Sequence, residues 1–210
     1  MEKITKDKLI NYLELLHGDA KCALNYHNDY ELLVMIILSA QTTDVAVNKV
    51  SLELFNKYKD IKSLSEANLS NIENIIRSLG LYKNKSKALL ETMKKLNEDG
   101  FTKIPNDFDY LIKLSGVGRK TANVFLSEYY NDSRLGVDTH ILRISKRLKL
   151  IDEGNGPIQA ENALLKLIGN YETRKFHHMM IAFGRNECKA INPSCENCGL
   201  KENCIIGHLK

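Results

Sequence analysis

The sequence predicts an all-α fold, and three observations carry that prediction. Apolar residues recur at helical spacing, among them Ile75, Ile76 and Leu79, and again Ala88, Leu89, Met93 and Leu96. No segment alternates apolar and polar residues as a half-buried strand does. Three prolines in 210 residues leave long stretches free to coil. Together these patterns give about ten short helices and no repeat of fixed period.

The longest apolar run, Leu32 to Ala40, is too short to cross a bilayer. Helix stops fall at Leu79-Gly80, Asp99-Gly100 and Gly154-Asn155-Gly156. Pro105-Asn106-Asp107 opens a helix running towards Leu114. A four-residue turn, Ser115-Gly116-Val117-Gly118, joins it to a second helix that begins near Arg119 and continues through Val124, Phe125 and Leu126. A further helix starts straight after Asp138, and Pro157 opens another through Leu164 and Leu165. No long Ser-, Gly- or Pro-rich linker divides the chain, so any two lobes are expected to pack closely.

At 43% hydrophobic and 27% charged residues the composition is that of an ordinary soluble protein. A net charge of +4 says little by itself. Its distribution says more: Arg134, Arg143, Lys146, Arg147 and Lys149 lie in one stretch against Asp138, and Lys83, Lys85, Lys87, Lys94 and Lys95 lie in another against Glu91. Each stripe fits either a face for a polyanion or a solvated helix face. The start, MEKITKDKLI, lacks the apolar run of a signal peptide, so a cytoplasmic, reducing setting is expected.

Four of the five cysteines, Cys188, Cys195, Cys198 and Cys204, follow the spacing C-x6-C-x2-C-x5-C. In a reducing compartment such a cluster is read as metal ligands before disulfides. Structural zinc sites commonly use two short knuckles, whereas this segment has one C-x2-C flanked by longer gaps. A cubane iron–sulfur cluster suits four thiolates on an irregular loop at least as well, and spacing leaves both metals open. Cys22, far away in sequence, is read as a plain buried thiol.

The turn at Gly116-Val117-Gly118 carries a second kind of chemistry. Glycine permits positive φ and leaves no side chain in the way. Backbone N–H groups of the turn and of the following helix start, including Arg119, can converge on one phosphate, while Val117 tucks inward. A corner that needs glycine only for packing is the plainer alternative. Lys120 stands in the first turn of the second helix, beside Arg119, where the macrodipole disfavours a positive charge. Both neighbours favour the free amine, the form that attacks carbon electrophiles; the plainer alternative is a phosphate contact. Asp138, in G-V-D-T-H-I, is at once a candidate helix N-cap and a carboxylate able to assist proton transfer. His140 reads as a core or phosphate-contacting histidine.

The string L-S-G-V-G-R-K-T-A, the V-D-T-H-I segment, the cysteine spacing, L-S-A-Q-T-T-D (Leu38 to Asp44) and G-L-Y-K-N-K-S (Gly80 to Ser86) together resemble the endonuclease III family of helix–hairpin–helix DNA glycosylase/AP lyases. The resemblance covers essentially the whole chain. It implies a six-helix barrel domain over 23–133, with the helix–hairpin–helix at about 107–128, and a second lobe from 1–22 plus 134–210 carrying a [4Fe–4S] cluster on the four cysteines. It implies damaged double-stranded DNA as partner, bound in a cleft between the lobes by a monomer with no membrane association. Lys120 becomes the nucleophile and Asp138 the essential carboxylate. Gln41 and Leu81 match positions that enter the DNA stack, while Gly116, Val117, Gly118, Arg119, His140 and Arg143 make up the remaining DNA-contacting set. By their residues alone, Gln41 reads as a helix-end amide and Leu81 as a buried leucine after a glycine cap.

What the resemblance implies chemically is excision of oxidised or ring-saturated pyrimidines, thymine glycol being representative, followed by strand nicking through a lysine Schiff base. No step of that reaction needs electron transfer, so the cluster is expected to be structural. The loop Lys189 to Ser194 has one basic residue where the family commonly has several, which shifts the expected DNA-attracting field to Arg185 and the 143–149 stripe. Two alternatives stay open. Adenine glycosylases of the same superfamily share hairpin and cluster but typically lack a lysine at position 120. A non-enzymatic DNA-binding module with structural zinc would share the cysteines and the hairpin alone.

Overall fold

The computed structural model describes residues 2–207. Among them lie eleven α-helices, one 3₁₀ turn and no strand, as the apolar periodicity predicts. The chain divides into two compact units, Cys22–Tyr130 on one side and Met1–Lys21 with Asn131–Lys210 on the other, each with its own hydrophobic core.

The continuous unit is arranged around α2 (Asp29–Leu38). Every position of that helix except Glu31 is buried, which is why its sequence is apolar all round. Asn28 caps its start and the buried Asp29 accepts the amide of Ile104 at 2.6 Å. Around it stand α3 (Asp44–Lys57), the short α4 (Ile61–Ser65) and α5 (Leu69–Ile75), the long α6 (Tyr82–Glu98), the four-residue α7 (Phe108–Leu111) and α8 (Arg119–Tyr130). Thr43, Asp60, Asn68 and Asp107 each cap a helix start with a side-chain oxygen. The stop expected at Asp99-Gly100 is a Schellman closure: Gly100 takes a φ of 79° and Phe101 N–H donates to Leu96 C=O at 2.9 Å.

Two sequence expectations shift in this unit. The helix from Asp107 ends at Leu111 rather than Leu114, because tight bonds such as Leu114 N–H to Leu111 C=O (3.1 Å) and Val117 N–H to Leu114 C=O (3.1 Å) turn the chain early into the hairpin. The stop before Gly80 comes at Ile75, after which a turn leads to Leu81.

The discontinuous unit packs α1 (Lys6–His17) with α9 (Thr139–Arg147), α10 (Pro157–Ile168) and α11 (Thr173–Asn186). Leu9, Ile10 and Leu13 of α1 are buried, Tyr12 meets Phe183 edge to face, and Glu14 accepts hydrogen bonds from Tyr171 and Lys175. α9 stops at Arg147, well before the expected Gly154: Lys149 adopts a φ of 51° and Leu150 N–H closes on Ser145 C=O at 2.9 Å. That is again a Schellman closure, here without a glycine to announce it. A 3₁₀ turn, Lys201–Asn203, is the last helical element described, and Asn203 Nδ2 donates to Glu2 C=O at 3.0 Å.

Candidate functional site

The hairpin is held on α6. Thr92, fully buried, donates through its hydroxyl to Ser115 C=O at 2.6 Å, and Ser115 Oγ donates to Glu91 at 2.7 Å. Val117 is buried, as its place between two glycines predicted. The two glycines differ. Gly116 has a φ of 75°, and a Cβ there would lie 2.9 Å from Ala88 Cβ, so backbone and packing both demand glycine. At Gly118 a Cβ would meet nothing within 4 Å and φ is ordinary. Nothing inside the unit requires glycine at that exposed position.

Arg119 and Lys120 are the first two residues of α8, and both are exposed. The Arg119 guanidinium lies over the Phe108 ring, 5.2 Å from its centre. Lys120 thus stands where the first-turn amides of a helix have no intrahelical acceptors and the macrodipole is positive.

Gln41 and Leu81 share a backbone anomaly. Both are non-glycine residues in the left-handed region, with φ of 54° and 58°. Each such conformation costs about 1–2 kcal/mol. Gln41 is exposed in the turn after α2. Leu81 is 54% exposed at the start of α6, so it is not the buried leucine that its position after Gly80 suggested. Lys85, one turn further along α6 and only 5% exposed, donates to Thr42 Oγ1 at 2.5 Å.

In the discontinuous unit Asp138 caps α9, its Oδ1 accepting Ile141 N–H at 2.8 Å, which leaves Oδ2 of a half-buried carboxylate outside that bond. His140 Nδ1 lies 3.1 Å from Arg143 Nη2. The expected DNA role of Arg143 meets a competing use. Its Nε and Nη2 donate to Cys188 C=O at 3.1 and 2.8 Å, and Nη2 also to Gly184 C=O at 2.8 Å. Arg147, 8% exposed, goes further: it donates to Cys188 Sγ at 3.2 Å, Lys189 C=O at 2.7 Å and Ala190 C=O at 3.2 Å. The 143–149 stripe is therefore not one solvated face, because two of its arginines hold the cysteine loop.

Cys188, Cys195, Cys198 and Cys204 are all free thiols, half-buried around one largely apolar cavity that Phe183 and Leu200 also line. The loop is closed at its neck by Ser194 N–H donating to Glu187 C=O at 3.0 Å. Burial pushes the Cys188 thiol up, against the Arg147 hydrogen bond that pulls it down, and burial likewise raises Cys198. Raised thiols such as Cys188 and Cys198 are poor nucleophiles at neutral pH, and all four cysteines line the same cavity. Cys22 is half-buried, with burial pushing its thiol up to about 11, as befits an unreactive one. No described helix is long and apolar enough to cross a membrane.

Lys85, Thr42 and Arg147 escaped the sequence reading as individuals. Thr42 and Lys85 lie inside recognised motifs, but nothing local marks their bond. Arg147 was counted among surface charges.

Residues 34–170 match the family of HhH-GPD superfamily base excision DNA repair proteins. Endonuclease III of Bacillus subtilis (strain 168) is 40% identical over 191 residues, covering 91% of this chain and 87% of its own. Endonuclease III of Escherichia coli (strain K12) is 32% identical over 204 residues, covering 97% and 96%. A solved structure of a trapped endonuclease III–DNA covalent intermediate superposes with a TM-score of 0.91 at 39% identity over 98% of both chains. A thermostable thymine-DNA glycosylase superposes at 0.85 with 20% identity, a likeness of fold alone.

Proposed function

The chain belongs to the HhH-GPD superfamily of base excision DNA repair proteins and, within it, to the endonuclease III family of DNA glycosylase/AP lyases, and we propose that Lys120 and Asp138 carry that activity on damaged duplex DNA. The observation that carries the assignment is the placement of Lys120: an exposed amine in the first turn of α8, directly after the glycine turn. A phosphate docked on the amides of Gly116 to Arg119 would bring a DNA strand to that helix start. The freedom at Gly118 supports this, since a bare backbone there serves an approaching ligand rather than the fold.

The damaged nucleotide must leave the stack before reaction. Gln41 and Leu81, exposed and held in costly backbone geometry, are suited to enter the gap it leaves. Lys120 as free amine attacks C1′, forming a C–N bond as the glycosidic bond breaks and the base departs with its electron pair. Ring opening gives a protonated Schiff base. Loss of a proton from C2′ expels the 3′ phosphate by β-elimination, and water releases the lysine. Asp138 is the carboxylate that assists base departure and proton transfer, fixed in position by its cap bond to Ile141. Arg143, with His140 beside it, ties α9 to the carbonyls of Gly184 and Cys188, and its charge adds to the field that draws DNA. The substrates are oxidised or ring-saturated pyrimidines, thymine glycol being representative, and the protein acts as a monomer.

Four convergent thiols on a loop closed at its neck fit a [4Fe–4S] cluster bound by Cys188, Cys195, Cys198 and Cys204. When bound, it supplies a four-point cross-link of the segment. A visible absorption band in anaerobically isolated protein is expected; a colourless protein with stoichiometric zinc would point to the zinc site instead. The adenine-glycosylase alternative is disfavoured by Lys120. Borohydride trapping on thymine-glycol duplex tests the main proposal: a covalent protein–DNA adduct is expected, and its survival undiminished in Lys120→Ala would overturn the nucleophile assignment.

A further inference from the structure

One face of α6 indexes two separate loops, beginning from its own N-cap. Leu81 begins the helix, Lys85 reaches Thr42 beside Gln41, Ala88 lies under Gly116, and Thr92 holds Ser115. These positions are spaced by four, three and four residues, one stripe of a helix. The contacts at Ala88 and Thr92 need no charge. Lys85 as a whole residue is only 5% exposed, and its ammonium takes Thr42 Oγ1 as acceptor. Burying a lysine head against a hydroxyl is costly for the fold. Burial accordingly weakens the hold of Lys85 on its proton.

What this lysine reaches is specific. Thr42 Oγ1 accepts from Lys85 Nζ and lies 3.3 Å from Ala40 C=O, to which it donates. Thr42 N–H donates to Ser39 C=O at 3.1 Å. The threonine therefore closes the turn around Gln41 from both sides, and Lys85 fastens that closed turn to the helix whose first turn carries Leu81. The bond joins two segments that each contain an exposed non-glycine residue at positive φ.

We propose that Lys85 is a positioning residue that couples the Gln41 turn to the Leu81 turn, so that the two residues meet a lesion as one preset pair. The proposal rests on the reading that Gln41 and Leu81 enter DNA. It places Lys85 behind the contact surface, acting through Thr42 rather than on substrate. Preset geometry lowers the ordering cost of engaging an extruded nucleotide, so its loss falls on lesion binding rather than on general DNA affinity.

The test uses the whole protein with its cluster, and compares Lys85→Met, Thr42→Val, their combination and Leu81→Ala. The readouts are the affinity ratio of a tetrahydrofuran abasic-site duplex over undamaged duplex, the fluorescence of 2-aminopurine opposite the abasic analogue, and the melting temperature. Lys85→Met and Thr42→Val should each lower the ratio about five- to tenfold, with the double variant no lower than either single one. The 2-aminopurine signal should fall in parallel. Melting temperature should hold or rise in Lys85→Met, since methionine fills the same space without a buried charge. Four results would overturn the proposal. An unchanged ratio in Lys85→Met with a reduced one in Leu81→Ala removes the coupling alone. Multiplying effects in the double variant show that Lys85 does not act through Thr42. A loss of about one unit in the salt slope for undamaged DNA makes Lys85 a phosphate contact. A flat ratio in Leu81→Ala removes the insertion reading and the coupling with it. Should Lys85→Met not fold, Thr42→Val alone against Leu81→Ala decides the coupling by the same ratio.

Discussion

In the continuous unit a buried lysine, Lys85, donates to one hydroxyl; in the discontinuous unit a buried arginine, Arg147, donates to carbonyls and a cysteine sulfur. Lys85 sits on α6 and Arg147 on α9. The difference follows from the two head groups. A guanidinium is a rigid planar fork whose several N–H groups can fix several acceptors at once. An ammonium is a point charge on a flexible stem that fastens a neighbour and still lets it adjust. On the proposed reading, the loop under Arg147 keeps one shape to present four ligands, and the turns joined by Lys85 meet a duplex that changes shape as a base leaves it. A fork with several acceptors suits the first task and a single tether the second.

The sharpest break in this comparison separates the chemistry from both supports. Lys120→Ala should abolish the trapped adduct and lower strand nicking by about 10⁴-fold, with the cluster absorbance intact; gel-resolved trapping and single-turnover nicking read it. Asp138→Asn keeps an oxygen for the Ile141 cap, so melting temperature should move little while turnover falls about 10²–10³-fold. Single-turnover base release measured beside abasic-analogue affinity checks that split, and wild-type release would leave Asp138 as a cap only.

The supports themselves come next. Arg147→Lys shortens the reach and removes the fork, stranding carbonyls at Lys189 and Ala190. A loss of about 2–4 kcal/mol in the stability of that unit is expected, read by chemical denaturation, with faster bleaching of the cluster band under chelator. Equal stability and bleaching would end the contrast with Lys85. The smallest effect divides the two hairpin glycines. Gly116→Ala meets both a positive φ and Ala88, and should cost about 1–2 kcal/mol. Gly118→Ala should cost under about 0.5 kcal/mol yet weaken binding to undamaged duplex. If stability falls equally in the two, both glycines serve packing.

Legibility in the sequence follows the range of the signal. The hairpin glycines, the burial of Val117 and the cysteine spacing are local patterns, readable because each signal lies within a short stretch of chain. Helix existence was readable from apolar spacing. Helix ends were less so: Lys149 closes α9 in a conformation usually left to glycine, so no residue type marks the stop. The same holds for Gln41 and Leu81, whose positive φ is set by surrounding packing. The basic stripe of residues 134–149 misled because charge along a chain does not tell which way a helix faces; Arg147 turns inward only because the cysteine loop lies there. The Lys85 bond to Thr42 joins residues 43 apart and has no signature in either neighbourhood.

α1 shares a core with α9, α10 and α11, while residues 22–130 form a unit between them in the chain. During synthesis the first helix therefore emerges long before its partners. It waits, its apolar stripe uncovered, while the whole intervening unit is made and can fold by itself. Closing so long a loop carries an entropic penalty that only the later contacts offset. The four cysteines follow α9, α10 and α11 in the chain. The order of translation thus sets an order of maturation, in which the hairpin and its lysine are in place before the discontinuous unit can close its core, and loading of the proposed cluster would follow both.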